Sequence, residues 1–413
     1  MLHIDRGFPP LPPEIPVLYG NKDDEVQKFL EKEVPEIDAQ LIRIIEWRPS
    51  LNFYGKEYVK LFSHVTVFLK RAEAGRRTTA VFGRRWVRNF FRNLNLINQT
   101  LLYKQADVPV IVTGSGPGLE TTLPVIQKLR DSCLVIAASS STMALLNAGI
   151  SPDLTASADG GSWAPRHLYP FYRHTSEKAG FLAANLCAAL PSQCACTPKL
   201  LINDGSFWQS IVLHELGIPS VIIPQKGTVT AYAVELAMIL SRGNIYLAGM
   251  DLSVRDIRTH VRPYAFDHLF YSRACRFTPV YSESFVRSNL IREGGSMDIY
   301  AAWFKNQLAS WPKRIFSLGG SHEVFEASLP KEKAAFNKKR EFFKTVSIKE
   351  EPSLLCKRGV SVLLAALKDG GYADKLKQEL VPLLFPGEKN AAEQELETEI
   401  KKLAGCYAEE SFE

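Results

Sequence analysis

The chain has 413 residues, 46% of them hydrophobic and 23% charged, with 50 Lys plus Arg against 44 Asp plus Glu and a net charge of +6. That mixture excludes disordered, collagenous and coiled-coil classes and, at about 150 residues per domain, predicts a globular protein of two or three domains. The small basic excess suits an anionic substrate or a polyanion and identifies neither; no nucleic-acid partner is expected.

Seven cysteines, at 133, 187, 194, 196, 275, 356 and 406, include no Cys-x-x-Cys pair, so reduced thiols are expected and no metal site. The opening MLHIDRGFPPLPPEIP lacks the apolar stretch of a secretory signal, and nothing later approaches 18 uninterrupted apolar residues. No membrane span and a cytoplasmic location are therefore expected.

Residues 1–104 read as a smaller N-terminal α/β region: a Pro-rich lead, an acidic helix near Asp24 to Glu33 and a short strand around Leu41 to Ile45. The stretch from Lys70 to Arg92 holds Lys70, Arg71, Arg76, Arg77, Arg84, Arg85, Arg88 and Arg92 against the single acid Glu73. From Trp86 onward Trp86, Phe90, Leu94 and Ile97 recur at helical spacing, which predicts a basic amphipathic helix with its arginines on the other faces. A solvated face is the plainer reading of those arginines, and docking to an acidic partner or to phosphates is the other.

Residues 105–312 change character. Short apolar runs at Val108–Val112, Cys133–Ala137, Leu154–Ser157, Leu200–Ile202, Ser220–Ile223 and Ile245–Leu247 alternate with helical stretches. Strands this uniformly apolar are covered on both faces, so the pattern predicts an α/β fold with a doubly wound, mostly parallel, Rossmann-like sheet. Ligands of such sheets lie beyond the carboxyl ends of the strands. Residues 313–413 read as a helical C-terminal region, with a basic segment Lys331–Lys344, an amphipathic helix Leu354–Leu367 stopped by Asp369-Gly370-Gly371, and a last helix across Ala391–Leu403.

The sharpest signal is VPVIVTGSGPGLETTLPVIQKL, a strand running through Gly114, Ser115, Gly116, Pro117 and Gly118 into a helix that starts near Leu119. Glycines admit close approach of a ligand to the backbone, and a helix N-terminus attracts phosphate; a tight turn without a ligand is the other reading. The loop is neither G-x-G-x-x-G nor a Walker A, because Pro117 intervenes and no Gly-Lys-Ser/Thr follows. At the next junction Ser139, Ser140 and Ser141 precede a helix Thr142–Asn147 and are read as helix caps or as contacts to a ribose or base. Asp159 ends the third strand, where an Asx-turn and a role toward a sugar hydroxyl are equal readings. Gly227, Thr228 and Thr230 again bring small residues and hydroxyls to a helix start. Asp251 ends the strand Ile245–Leu247 at the same expected edge. His260, in a loop with Arg258 and Arg262, is the candidate general base, since an imidazole accepts a proton near neutral pH; an ordinary surface or packed histidine is the other reading, with His268 as the alternative base.

Taken in order, Gly114-Ser-Gly-Pro-Gly-Leu119, the segment Ala138–Asp159 with Gly149-Ile-Ser-Pro-Asp153, Gly249-Met-Asp-Leu252 and Thr259-His260 resemble the motility-associated factor (Maf) flagellin glycosyltransferases. Phe82-Gly-Arg-Arg-Trp86 and Arg88-Asn89 look family-like as well. The central domain of that family is similar to bacterial CMP-sialic-acid-dependent sialyltransferases and to archaeal 6-hydroxymethylpterin diphosphokinases.

The resemblance implies transfer of a nonulosonic acid, pseudaminic, legionaminic or sialic-acid-like, from a CMP-sugar donor to Ser or Thr hydroxyls of flagellin or another protein acceptor, with no tightly bound cofactor. It implies further that Gly114–Gly118 holds the CMP phosphate. Ser139, Ser140 and the Gly227–Thr230 turn would line the nucleotide, Arg258 and Arg262 would face the phosphate, and His260, Asp159 and Asp251 would be the catalytic candidates. Gly118 stands where the family loop carries Ser, and Arg258 and Val261 flank the Thr-His pair in place of small residues. A pterin diphosphokinase using ATP and a non-catalytic nucleotide- or glycan-binding member are the competing readings.

Overall fold

A computed structural model describes all residues except 1, 4–11, 13–14, 20–22, 35–41, 47, 174–179, 295–299, 302, 306, 308–310, 319–324, 331–341 and 406–413. The chain divides into two compact units, one of Met1–Arg84 with Ala373–Glu399 and one of Arg85–Tyr372 with Ile400–Glu413.

In the first unit, β1 (Leu2–His3) pairs in parallel with β2 (Leu18–Tyr19). The acidic helix spans Asp23–Glu33. Its Val26 and Leu30, one turn apart, meet Val65, Phe68 and Ala72 of the helix Gly55–Leu94 in a small core. That helix starts about thirty residues before the expected Trp86, because apolar positions at three- and four-residue spacing persist through its first half. Residues 42–46 are not a strand and Leu41 lies outside the described residues. Ile44 and Ile45 are exposed, so the run has β-propensity but pairs with no strand among the described residues. Gly83 passes so close to a neighbouring helix that a Cβ there would lie 2.5 Å from the Leu383 carbonyl oxygen.

The second unit is built on an eleven-stranded sheet. Its strands are β3 (Gln99–Tyr103), β4 (Val110–Thr113), β5 (Leu134–Ala138), β6 (Leu154–Ser157), β7 (Phe181–Asn185), β8 (Lys199–Asn203), β9 (Val221–Ile222), β10 (Ile245–Ala248), β11 (Ile315–Leu318), β12 (Ala327–Ser328) and β13 (Phe343–Ser347). They lie in the order β12-β11-β10-β4-β5-β6-β7-β8-β3-β13, with β9 also on β8. Every pairing is parallel except that of β13 with β3. The fold is α/β and doubly wound.

Within one strand, successive residues enter opposite cores, as a two-residue repeat requires. Val110 and Val112 pack with Ala231, Val234 and Leu240 of the helix Val229–Leu240. Ile111 turns to the other face, toward Leu119, Ile126 and Leu129 of the helix Leu119–Leu129.

The expected basic segment 331–344 lies outside the described residues up to 341, and Phe343–Ser347 is strand rather than helix. Phe343 is buried there and Lys344 exposed; a lysine on an outermost strand discourages further pairing. The helices Pro352–Lys368 and Glu393–Ala404 match the expected ones. No helix among the described residues is long and apolar enough to cross a membrane. Six cysteines are free thiols, with Cys196 and Cys275 exposed; Cys406 lies outside the described residues.

Candidate functional site

The chain winds from β4 through β5, β6, β7 and β8 to one side, then returns to place β10 on the other side of β4. The carboxyl ends of β4 and β10 therefore flank the point where strand order reverses, which is where an open α/β sheet leaves a crevice. Gly114–Gly118 follows β4, and Asp251 follows β10.

These two segments are laced together. The Gly114 N–H donates to the Ala248 carbonyl at 2.8 Å and the Gly116 N–H to the Gly249 carbonyl at 2.7 Å. The Gly118 N–H donates to both oxygens of Asp251, at 2.9 and 3.0 Å. The carboxylate lies at the N-terminus of the helix Leu119–Leu129, the end that favours negative charge. Glycine is required here by an internal group: a Cβ on Gly116 would fall 2.0 Å from one Asp251 oxygen, and one on Gly118 would fall 2.2 Å from the other. Leu252, next to Asp251, has φ +47°, a left-handed conformation that costs a non-glycine residue about 1–2 kcal/mol.

The Gly227–Thr230 turn reaches the same loop, since the Thr230 hydroxyl lies 3.1 Å from where a Gly114 Cβ would stand. Thr228 caps the helix Val229–Leu240, accepting from the Ala231 N–H at 3.0 Å. Ser139 is buried and Ser140 half-buried at the end of β5. Ser141 joins the ends of β4 and β5 by its hydroxyl, 2.8 Å from the Thr113 hydroxyl and from the Ala138 carbonyl. Gly114–Gly118, the serines and the 227–230 turn thus occupy neighbouring carboxyl ends.

The His260 segment is pinned to the glycine loop by the Val261 N–H, which donates to the Ser115 carbonyl at 2.8 Å. The His260 ring stacks on Tyr264 with centroids 4.2 Å apart, and its Nδ1 lies 2.8 Å from the Thr259 hydroxyl. Burial pushes its pKa down to about 3, helped by the charges of Arg287 and Arg262 and by His167. The two flanking arginines are paired. Arg258 contacts both Glu120 oxygens at 3.1 Å, and Arg262 forms an ion pair with buried Asp267.

Asp159 lies two residues past β6 and is exposed; its Oδ1 accepts from the Gly161 N–H at 2.7 Å, the Asx-turn of the alternative reading. Two strands separate β6 from β10, so Asp159 and Asp251 stand on the same edge about 14 Å apart at the usual strand spacing. They are not a close carboxylate pair. Asp159 instead acts electrostatically on His167 and Tyr264.

Three further residues join this cluster: Tyr264 belongs to the aromatic and charged loop after His260, whereas His167 and Arg287 carried no sequence signal. His167, on the helix Pro165–Arg173, packs against Tyr264 and Phe266 with centroids 5.4 and 5.1 Å away. Its pKa is pushed down to about 4, mainly by burial, and its Nδ1 is buried without a hydrogen-bond partner. Tyr264 links the two imidazoles. Arg287, on the helix Val280–Gly294, lines a pocket with Thr259, His260, Arg262, Tyr264 and Ser284.

Two family-like motifs prove to be scaffolding. Asn89 Nδ2 donates to the carbonyls of Gly160 at 3.3 Å and Cys187 at 3.0 Å, and Asn93 Nδ2 to those of Leu186 and Ala188 at 2.8 Å. A Cβ on Gly160 would meet the Trp86 indole at 2.7 Å. The end of the helix Gly55–Leu94 thereby fixes the loops after β6 and β7. Gly149–Asp153 belongs to the opposite edge: Asp153 holds Arg130 at 2.8 and 2.9 Å and accepts from the Val135 N–H at 2.7 Å.

A family model described as 6-hydroxymethylpterin diphosphokinase MptE-like matches residues 84–256. A protein of Treponema pallidum (strain Nichols), described as an uncharacterized protein, is 27% identical over 289 residues, covering 68% of this chain and 60% of that one. Among solved structures, a Maf glycosyltransferase from Magnetospirillum magneticum AMB-1 aligns with a TM-score of 0.47 at 13% identity, over 95% of this chain and 64% of its own. The chain thus spans less than two thirds of the length of either relative.

Proposed function

We propose that the protein is a cytoplasmic glycosyltransferase that moves a nonulosonic acid from its CMP conjugate to a Ser or Thr hydroxyl of flagellin or another protein acceptor. The observation that carries the reading is the state of the glycine loop. The N–H groups of Gly114, Gly116 and Gly118 are engaged by Ala248, Gly249 and Asp251. A triphosphate cradle needs several free amides around a multiply charged chain. The phosphodiester of a CMP-sugar carries one negative charge and asks for far less.

In this reading Ser115, Pro117 and the hydroxyls of Thr228 and Thr230 flank the phosphate, and Ser139 and Ser140 line the nucleotide. Asp251 holds the loop in shape. The acceptor hydroxyl attacks the anomeric carbon as the bond from that carbon to the phosphate oxygen breaks, and CMP departs with the electron pair. The proton goes to His260. For Nε2 to accept it, Nδ1 must carry hydrogen and donate to the Thr259 hydroxyl, whose distance of 2.8 Å suits that bond. A base with a pKa near 3 takes the proton late, once positive charge on the sugar has acidified the attacking hydroxyl. Asp159 opposes that positive charge from the end of β6.

The family description favours a second reading, a pterin diphosphokinase that binds ATP with magnesium. Titration calorimetry with CMP, ATP and GTP separates the two: CMP binding is expected, and binding of ATP without CMP overturns the proposal. Intact-mass analysis of flagellin from cells with and without the gene tests the acceptor, with a sugar-sized loss as the expected result.

A further inference from the structure

The arginines beside the glycine loop differ in one respect. Arg258 and Arg262 have carboxylate partners in Glu120 and Asp267. Arg287 forms no ion pair among the described residues. Its guanidinium lies 5.7 Å from the centre of the Phe270 ring, in the pocket that also presents Thr259, His260 and Ser284. Of the groups around it, His260 and His167 are held neutral chiefly by burial, and Asp159 acts on the same His167 and Tyr264 without forming an ion pair with Arg287 among the described residues. Glu283, four residues earlier on the helix, lines the pocket and makes no ion pair with it.

We infer that this pocket binds the carboxylate of an acidic ligand through Arg287, with the hydroxyls of Thr259 and Ser284 as further donors. A guanidinium presents two parallel N–H groups that match a planar carboxylate. The Ser284 hydroxyl, 3.4 Å from an Arg262 nitrogen, accepts there and keeps its own hydrogen to donate. The Thr259 hydroxyl is likewise free to donate when His260 Nδ1 carries its hydrogen. With Arg262 already paired to Asp267 and Glu283 lining the same pocket, the charge that Arg287 offers suits a monoanion better than a phosphate dianion. The inference rests on the glycosyltransferase reading and deepens it: a nonulosonic acid bears its carboxylate on the carbon that also carries the phosphate link. The bond from Val261 to Ser115 sets the pocket beside the glycine loop. Arg287 is then the residue that selects acidic over neutral sugars.

The test is titration calorimetry of the full chain with CMP and with CMP-N-acetylneuraminic acid, using the parent, Arg287→Gln and Arg287→Lys, with thermal melts to confirm folding. The parent is expected to bind the conjugate more tightly than CMP. Arg287→Gln should weaken the conjugate by about 10- to 100-fold, the loss of one charged hydrogen-bonded pair, while CMP affinity stays within about threefold. Arg287→Lys should fall between and stands in if the Gln variant does not fold. A parent that binds CMP and its conjugate equally, or a variant that weakens both alike or neither, overturns the carboxylate pocket alone. A parent that binds neither overturns the glycosyltransferase reading, and the pocket's assignment with it.

Discussion

The carboxyl edge of the sheet has two halves of opposite character. Around β4 and β10 the polar groups answer one another: the amides of three glycines, two carbonyls and the Asp251 carboxylate close on themselves. Around β6 and the segment 259–287 they do not. Among the described residues His167 keeps a buried nitrogen unpartnered and Arg287 forms no ion pair. The family match takes in the whole first half, the glycine loop and Asp251, but only β6 and His167 of the second, stopping at 256 before His260, Tyr264 and Arg287. A self-satisfied frame holds its shape without ligand, whereas unsatisfied groups gain most when a ligand arrives. In the proposed reading the first half is a mould and the second supplies the reacting groups.

The largest effect that separates the halves is expected at His260. His260→Ala should lower turnover by about 100- to 10,000-fold, the range of a general base, with CMP affinity nearly unchanged. Full turnover in the variant, measured with a CMP-sugar donor and a Ser/Thr acceptor, removes the proton-transfer role and leaves His260 as a packing partner of Tyr264.

Next comes the mould. Gly116→Val should reduce CMP affinity by roughly 100-fold and lower stability, because overpacking of a closed site costs about 1–3 kcal/mol and the new Cβ has no room beside Asp251. Pairing Gly116→Ala with Asp251→Ala sharpens the point. Removing the carboxylate should restore part of the melting temperature lost in the single glycine variant, a coupling that a double-mutant cycle reads directly. Additive losses would show that the clash is with the Gly249 carbonyl instead, 2.8 Å from the same position.

The legibility of the sequence follows the same line. All six expected strands of the central region are strands, within a residue or two, because burial on both faces writes itself as short β-branched runs. Phe181–Asn185 escaped because its Ala-Ala centre has poor strand propensity, which burial overrides. β3, β11, β12 and β13 lie outside the expected central region 105–312, and all four join the same sheet. Within the site, the glycine loop was visible as a local strand-turn-helix pattern. Its occupant was not, since Asp251 is 133 residues from Gly118. Arg287 stands four residues after Glu283, a spacing that reads as a solvent-facing helix pair; the structure leaves the pair unmade. Pairings across chain distance decide which charges are free, and those leave no trace in spacing.

Acid should find the second half first. His260 and His167 have folded-state pKa values pushed down to about 3 and about 4 from an ordinary 6.5. Between those limits the unfolded chain binds protons that the folded chain refuses, so the stability these groups contribute is lost as pH falls from about 6.5 toward 3. Arg287→Gln removes a charge that depresses both values and should flatten that fall. The check is a series of melting temperatures between pH 7 and 4 for parent and variant. A variant as acid-sensitive as the parent would show that burial alone sets the two imidazoles.

The smallest effect is expected at Arg258, and it decides whether the mould borrows charge from outside. A permanent cation next to a phosphate site is a natural ligand for that phosphate, and its loss would then weaken nucleotide binding. Here the guanidinium is bound to Glu120, with both side chains about one-third exposed. Glu120 also accepts from the Arg262 N–H at 3.2 Å, so the pair anchors the 258–262 segment to the helix that follows the glycine loop. A partly exposed ion pair of this kind contributes about 0–1 kcal/mol. Arg258→Gln should therefore shift the melting temperature by no more than a few degrees and CMP affinity by less than about fivefold, since one such interaction is at stake. A loss of CMP affinity tenfold or greater with an unchanged melting temperature would show that Arg258 leaves Glu120 for the ligand. The glycine-loop half would then be an incomplete mould that recruits a cation on binding.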